Sequence, residues 1–262
     1  MIKILNIYKP IGLRPLQLIN ILRARHKEYQ SIKIGFAGRL DPLAHGVMLL
    51  MLGDETKNRD KYLSLTKEYE FEVLFGMSTD TYDSLGLLNN LAIKQFNNSA
   101  FTRVDLEKQI NQFIRTKLGR QHQPYPPYSS KEVNGKPLFQ WAREKKLSVI
   151  EIPCRETEIY EFEQLSIASK SSDKIKRIIF ENIEKVNGDF RQDTIIKQWQ
   201  DFFYSNNSEQ FTIAKFRVSC SSGTYVRSIA NEIGQIIGVG AIALSILRTK
   251  VGENKLDDSL ML

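Results

Sequence analysis

The stretch Gly35-Phe36-Ala37-Gly38-Arg39-Leu40-Asp41-Pro42-Leu43-Ala44-His45-Gly46-Val47 constrains this chain more than any other. One acid, Asp41, stands among three glycines and a proline, and the apolar run from Val47 to Leu52 follows. Glycines this closely spaced mark a tight turn or a close approach to the backbone. Pro42 biases Asp41 toward an extended conformation and narrows the directions its carboxylate can take. A chain that presents a single acid from a rigid loop beside a strand is written this way. Read alone, the loop is more simply a hairpin turn, for which Asp and Gly are common residues.

The rest of the chain sets the frame. Its 262 residues lie near the upper size for one core, so one large domain, with or without an insertion, is expected. Lys and Arg number 37 against 30 Asp and Glu, and the resulting +7 suits a polyanionic partner. Cys154 and Cys220 lie far apart with no histidine at ligand spacing, which implies neither a metal site nor a disulfide framework. No apolar run approaches the roughly 18 residues of a membrane span, and Met1 to Pro10 does not read as a signal peptide. A soluble, cytoplasmic monomer is expected.

Hydrophobic spacing gives a coarse order of elements. Ile2 to Tyr8 reads as a strand, and Pro15 opens a helix that runs to Arg25. Beyond the Asp41 loop come the strand Val47 to Leu52, a polar helix from Gly53 to about Leu65, and the strand Glu68 to Phe75. Leu85 to Ala100 reads as an Asn-rich loop, and a helix is expected from Thr102 or Asp105 to Leu118. Gln121 to Ser130 reads as extended and irregular, Asn134-Gly135 as a type I′ hairpin, and Pro137 as the start of a short helix. Val149 to Ile152, Glu158 to Ile167 and Phe211 to Cys220 read as strands, and Val226 to Ile237 as an amphipathic helix. The polar tract from Ser169 to Gln210 carries two helical stripes, one with Ile175, Ile179 and Ile183, the other with Ile195, Trp199 and Phe202. It is expected to be an inserted helical hairpin, residues 169–210, peripheral to any site. Mixed elements with hairpin signals favour an α+β fold with antiparallel neighbours.

The loop does not stand alone. Gly35-x-x-Gly38-x-Leu40-Asp41-Pro42-x-Ala44-x-Gly46-Val47 resembles the catalytic loop of the TruB family of tRNA pseudouridine synthases. Further blocks follow in family order: Lys9-Pro10-x-Gly12, Gly53-Asp54-Glu55-Thr56-Lys57, Lys67-Glu68-Tyr69 and Gly76-x-x-Thr79-Asp80-Thr81-x-Asp83. Pro126-Pro127-Tyr128-Ser129-Ser130-Lys131-x-x-x-Gly135, Gly223-Thr224-Tyr225-Val226-Arg227 and Leu247-Arg248-Thr249 complete the series. The resemblance implies the pseudouridine synthase fold over residues 1–262: a mixed, largely antiparallel sheet flanked by helices, with an RNA-binding cleft across it.

It also implies a reaction. Pseudouridylation detaches uracil from its ribose, turns it, and rejoins it through carbon with no net change in electrons or groups. Neither a cofactor nor a metal is called for, but one carboxylate that can act covalently is. The resemblance assigns that role to Asp41. Attack at ribose C1′, attack on the uracil ring and a glycal-type elimination all remain open. Tyr69 matches the tyrosine that stacks on the flipped base, Arg227 the active-site arginine, and Asp83 the acid that orients it. Lys9, Lys57, Lys131, Arg143 and Arg248 fall in or near matched blocks and are expected along an RNA track. Ile246 reads as pocket floor or plain core.

Three departures bear on the substrate. Family members carry His-Thr where Phe36-Ala37 stand, so Phe36 faces the target loop with a stacking surface and no hydrogen bond. Ser222 stands where relatives place a lysine, and the chain stops about where the family's catalytic domain does. The small RNA-binding domain appended in relatives is therefore expected to be absent. The reading that follows is an isomerase making pseudouridine in the tRNA T loop, at position 55, with the T stem-loop as partner. A synthase with another RNA target, or a non-catalytic RNA binder or folding helper on the same scaffold, is the alternative. An inert relative is expected to lose Asp41, Tyr69 or Arg227 first, and all three are present.

Overall fold

The computed structural model describes residues 3–89, 103–207 and 209–262; most of the Asn-rich loop, and Thr102, lie outside them. Nine strands join in one sheet, whose main path runs β1 (Ile4–Lys9), β3 (Ala44–Leu52), β10 (Ala241–Val251), β4 (Lys67–Phe75), β9 (Gln210–Cys220), β8 (Cys154–Ser171) and β5 (Gly119–Pro124). Strand β2 (Ile34–Ala37) pairs with β3, and β11 (Asn254–Lys255) with β10. Among the described residues, the pairings between these strands are antiparallel except that of β3 with β10, which runs parallel from Ala44↔Ile246 to Gly46↔Arg248. Asn134 and Gly135 both take positive φ, as a type I′ turn requires, and join the short strands β6 (Glu132–Val133) and β7 (Lys136–Pro137).

One face of the sheet is covered and the other only in part, and its strands read accordingly. In β4, Tyr69, Phe71 and Val73 are buried in alternation with Glu68, Glu70 and Glu72. Strand β3 is nearly all apolar because each of its faces meets a packed layer. Met48 and Leu50 meet Leu18, Ile19 and Leu22 of helix α1 (Pro15–Arg25), while Val47 and Leu49 meet Val251 and Tyr62. Tyr62 belongs to α2 (Arg59–Leu63), which follows a single 3-10 stretch rather than forming the longer polar helix expected. Helix α3 (Arg103–Lys117) and the C-terminal helix, described below, close one face over Phe71, Val73, Phe216 and Ala243.

Three expectations need correction. Val149 to Ile152 is no strand: a 3-10 turn, Leu147–Val149, precedes an unpaired approach to β8. Gln121 to Ser130 is not irregular throughout: Gln121 to Pro124 belong to β5 and pair with β8. The tract from Ser169 to Gln210 is not peripheral. After helix α4 (Leu138–Arg143), its two helices α5 (Ser172–Glu184) and α6 (Gln192–Ser205) cover part of the sheet's other face. Ile175, Ile179, Ile183, Trp199 and Phe203 pack there with Leu74, Ile213, Ile242 and Leu244. The tract's outer residues in fact extend β8 and begin β9.

Candidate active site

Asp41 sits in the loop between β2 and β3. The Ala44 N–H donates to the Asp41 carbonyl at 3.1 Å, and the Gly12 N–H to the Pro42 carbonyl at 2.8 Å, which fixes the turn. Two buried cations lie beneath it. Lys9, 0% exposed, donates from Nζ to the carbonyls of Ala44 (2.6 Å) and Pro10 (3.0 Å). Arg248, 1% exposed, donates from Nε to the Val47 carbonyl (2.6 Å) and from Nη2 to the Gly38 carbonyl (3.2 Å), tying the two ends of the loop together. Gly46 permits this: its φ is +108°, and a Cβ there would lie 2.2 Å from the Arg248 carbonyl oxygen.

Lys9, expected along an RNA track, is instead buried beneath the loop and outside the cleft lining, while Arg248 reaches the cleft wall; both donate to backbone carbonyls that burial would otherwise leave unsatisfied. Burial lowers the Lys9 pKa to about 8, with Asp41 opposing and Arg248 reinforcing the shift. Burial, and then the Lys9 charge, also lower His45 to about 4, so this ring is neutral and shares a 2.9 Å hydrogen bond with the Tyr8 hydroxyl.

Arg227 lies in the first turn of α7 (Val226–Ile237) and is 3% exposed. Its Nε donates to Asp41 Oδ2 at 2.6 Å and lies 3.7 Å from Asp83 Oδ2. Nη1 donates to the Thr81 carbonyl and Nη2 to the Tyr128 carbonyl (3.3 Å). Burial works against the guanidinium charge, but Asp41 and Asp83 together raise the pKa above its ordinary value. Burial pushes Asp83 up to about 6, against the pull of Arg227 and of the Thr81 hydroxyl, which donates to Asp83 Oδ1 at 2.7 Å. One oxygen of Asp41 is thus held while its side chain stays 38% exposed in the wall of a cleft.

The cleft above has a volume of about 990 Å³. Phe36, Asp41, Tyr69, Asp83, Arg143, Arg227, Ile246 and Arg248 all line it. Tyr69 stands opposite Arg248 in the β4–β10 register; burial raises its pKa and the Arg248 charge opposes the rise. Arg39 lies 6.0 Å from the Phe36 ring centroid, a cation facing an aromatic at the cleft wall. Lys57 and Lys131 are not in the lining: Lys57 pairs with Asp54 at 2.7 Å, and Lys131 lies 5.6 Å from the Tyr125 ring centroid.

Several lining residues escaped the sequence reading, among them Arg14, Arg155 and Arg191, and Tyr128 stood there only as part of a matched block. Arg191 comes from the turn between α5 and α6, in the tract expected to be peripheral. Its signal was a charged turn, Asp189-Phe190-Arg191, between two apolar stripes; which surface that turn meets is a matter of tertiary packing.

Solved structures share this fold. A chain in the crystal structure of a Cbf5-Nop10-Gar1 complex superposes with a TM-score of 0.59 at 20% identity, covering 99% of this chain and 52% of that one. A chain in an H/ACA RNP bound to a substrate RNA containing 2′-deoxyuridine gives 0.55 at 18% identity, with 99% and 50% covered. The present chain spans about half the length of both. Sequence relatives are closer. A tRNA pseudouridine synthase B of Clostridioides difficile is 30% identical over 99% of this chain and 69% of the relative, and one of Clostridium novyi is 32% identical over 99% and 70%. Residues 24–184 match the TruB family pseudouridylate synthase N-terminal domain. The chain belongs to the TruB family, and its α+β architecture is the pseudouridine synthase fold. The family match runs through α5, the first helix of the tract that looked like an insertion.

Proposed function

We propose that this protein isomerises a uridine of tRNA to pseudouridine, with the T-loop uridine at position 55 as target and Asp41 as the covalent catalyst. The ion pair carries the reading: a buried Arg227 holds one oxygen of an accessible Asp41 at 2.6 Å in the floor of a cleft. In the overall reaction the C1′–N1 bond breaks, a C1′–C5 bond forms, and the proton leaves C5 while N1 gains one. Asp41 acts on the substrate once the base has left its stack, and Arg227 stabilises its carboxylate and fixes its direction. Tyr69 supplies an aromatic wall beside it, suited to a flipped base. The names of the relatives, tRNA pseudouridine synthase B, support tRNA as the substrate class.

Phe36, with Arg39 across its ring, favours a second reading in which the receiving loop accepts a different RNA. One experiment separates the readings. Total RNA is treated with the protein and with Asp41→Asn, and pseudouridine is mapped by carbodiimide adduct and primer extension. A new Asp41-dependent stop at the T-loop uridine supports the first reading, and a stop elsewhere supports the second. No Asp41-dependent stop anywhere leaves a binder without catalysis.

A further inference from the structure

Both carbonyls that receive the Arg227 guanidinium belong to segments gripped by a single side chain. Nη1 of Arg227 donates to Thr81, next to Asp80, and Nη2 donates to Tyr128. Arg191 binds Asp80 in a fork, Nη1 to Oδ2 at 2.7 Å and Nη2 to Oδ1 at 3.2 Å. Its guanidinium also lies over the Tyr128 ring, 4.5 Å from the centroid. The triangle closes where the Tyr128 hydroxyl donates to Asp80 Oδ2 at 2.8 Å. Planar, two-pronged binding with ring stacking is what arginine offers and lysine does not. Arg191 holds this pose with φ +67°, a left-handed conformation that a non-glycine residue adopts only where its surroundings impose it. The turn is further tied down by Arg143 Nη2, which donates to the Asp189 carbonyl at 2.7 Å.

We infer that Arg191 is a positioning residue for the isomerisation: through Asp80 and Tyr128 it sets the two carbonyls that aim Arg227 at Asp41. The α5–α6 hairpin thereby joins the catalytic apparatus without touching the reacting atoms. This inference rests on the function proposed above, so one arm of its test is independent of turnover.

That arm is the Nε–H signal of Arg227 in ¹H–¹⁵N spectra of the full chain, assigned by its loss in Arg227→Lys. Solvent exchange of this proton should quicken about tenfold or more in Arg191→Ala, because the buried guanidinium loses its fixed cage. The second arm is single-turnover pseudouridine formation on tRNA. At saturating enzyme the rate should fall by about 10- to 100-fold, the range an ångström of misplacement produces, with tRNA Kd changed less than threefold. Arg191→Lys should recover little of it. In an Arg227→Lys background, Arg191→Ala should add almost nothing, since it acts through Arg227. A merely structural role would instead give additive losses that track Tm. Should Arg191→Ala fail to fold, Asp80→Asn keeps the shape, breaks the fork, and carries the same expectations. Unchanged Nε–H exchange, a loss confined to Kd, or additivity with Arg227→Lys overturns the clamp. If the wild type makes no pseudouridine, the functional reading fails, and the exchange arm alone decides the clamp.

Discussion

At the scale of single residues, Asp41, Arg227 and Asp83 form one electrostatic unit. Asp41→Asn should cost about a thousandfold or more in turnover with tRNA Kd nearly unchanged, and should also lower Tm, because the buried Arg227 keeps only Asp83 as a carboxylate partner. Single-turnover assays with filter binding check this, and turnover near that of the wild type would remove Asp41 from the mechanism. Asp83 adds a pH dependence. Its folded pKa of about 6 lies above the ordinary carboxyl value, so its contribution to stability is full below about pH 4 and is lost as pH rises through 6. His45 runs the other way: depressed to about 4, it contributes above about 6.5 and loses that as pH falls toward 4. Each shift corresponds to roughly 3 kcal/mol, and over pH 4–6 the two trends oppose each other. Urea unfolding of the wild type should therefore show little slope from this pair, and Asp83→Asn should unmask a rise in stability with pH. An identical pH profile for both proteins would refute the assignment. Asp83 and Arg227 were legible in the sequence through matched blocks. The burial of Lys9 and Arg248 was not, because a basic residue in a motif reads the same whether its charge meets phosphate or a buried carbonyl.

At the scale of elements, the junction of β3 with β10 decides how rigidly Asp41 is presented. Their parallel register places Gly46 against the Arg248 backbone, and the Arg248 side chain returns to both ends of the loop. Gly46→Ala should cost roughly 2–6 kcal/mol, the sum of about 1–3 for left-handed strain and about 1–3 for overpacking. Chemical denaturation measures it, and a loss below about 0.5 kcal/mol would show that the strands separate freely. Arg248→Met keeps the bulk but leaves two carbonyls without donors, at about 1–3 kcal/mol each. It should reduce turnover more than tRNA affinity, as single-turnover rates beside Kd would show. Alternation made β4 plain in the sequence, because its solvent-side positions are glutamates. Strand β10 gave no such rhythm. Its first four residues, Ala241 to Leu244, are all buried, and a mostly apolar run such as Ala241 to Leu247 does not say whether it is a strand, a helix or a pocket floor.

At the scale of the whole molecule, the α5–α6 hairpin is where sequence and structure diverge most. Its two apolar stripes were readable as packing faces, but nothing local to the tract names their partner. Its polar composition reflects the outer surfaces of two helices whose inner surfaces cover the apolar end of a sheet face, around Leu74, Ile213, Ile242 and Leu244. That cover is large. Without it, Leu74, Met77, Phe211, Ile213, Ile242 and Leu244 would meet water. Re-exposing six such side chains at about 1.5–3 kcal/mol each amounts to roughly 9–18 kcal/mol. A domain of this kind is stable by only about 5–15 kcal/mol. Replacing residues 172–209 by a short turn should therefore abolish cooperative unfolding and drive the product to aggregate, quite apart from the loss of Arg191. Differential scanning calorimetry and size-exclusion chromatography of that variant decide the matter. A soluble monomer with a sharp transition would mean that the sheet closes over its own exposed face and that the hairpin is dispensable to the core.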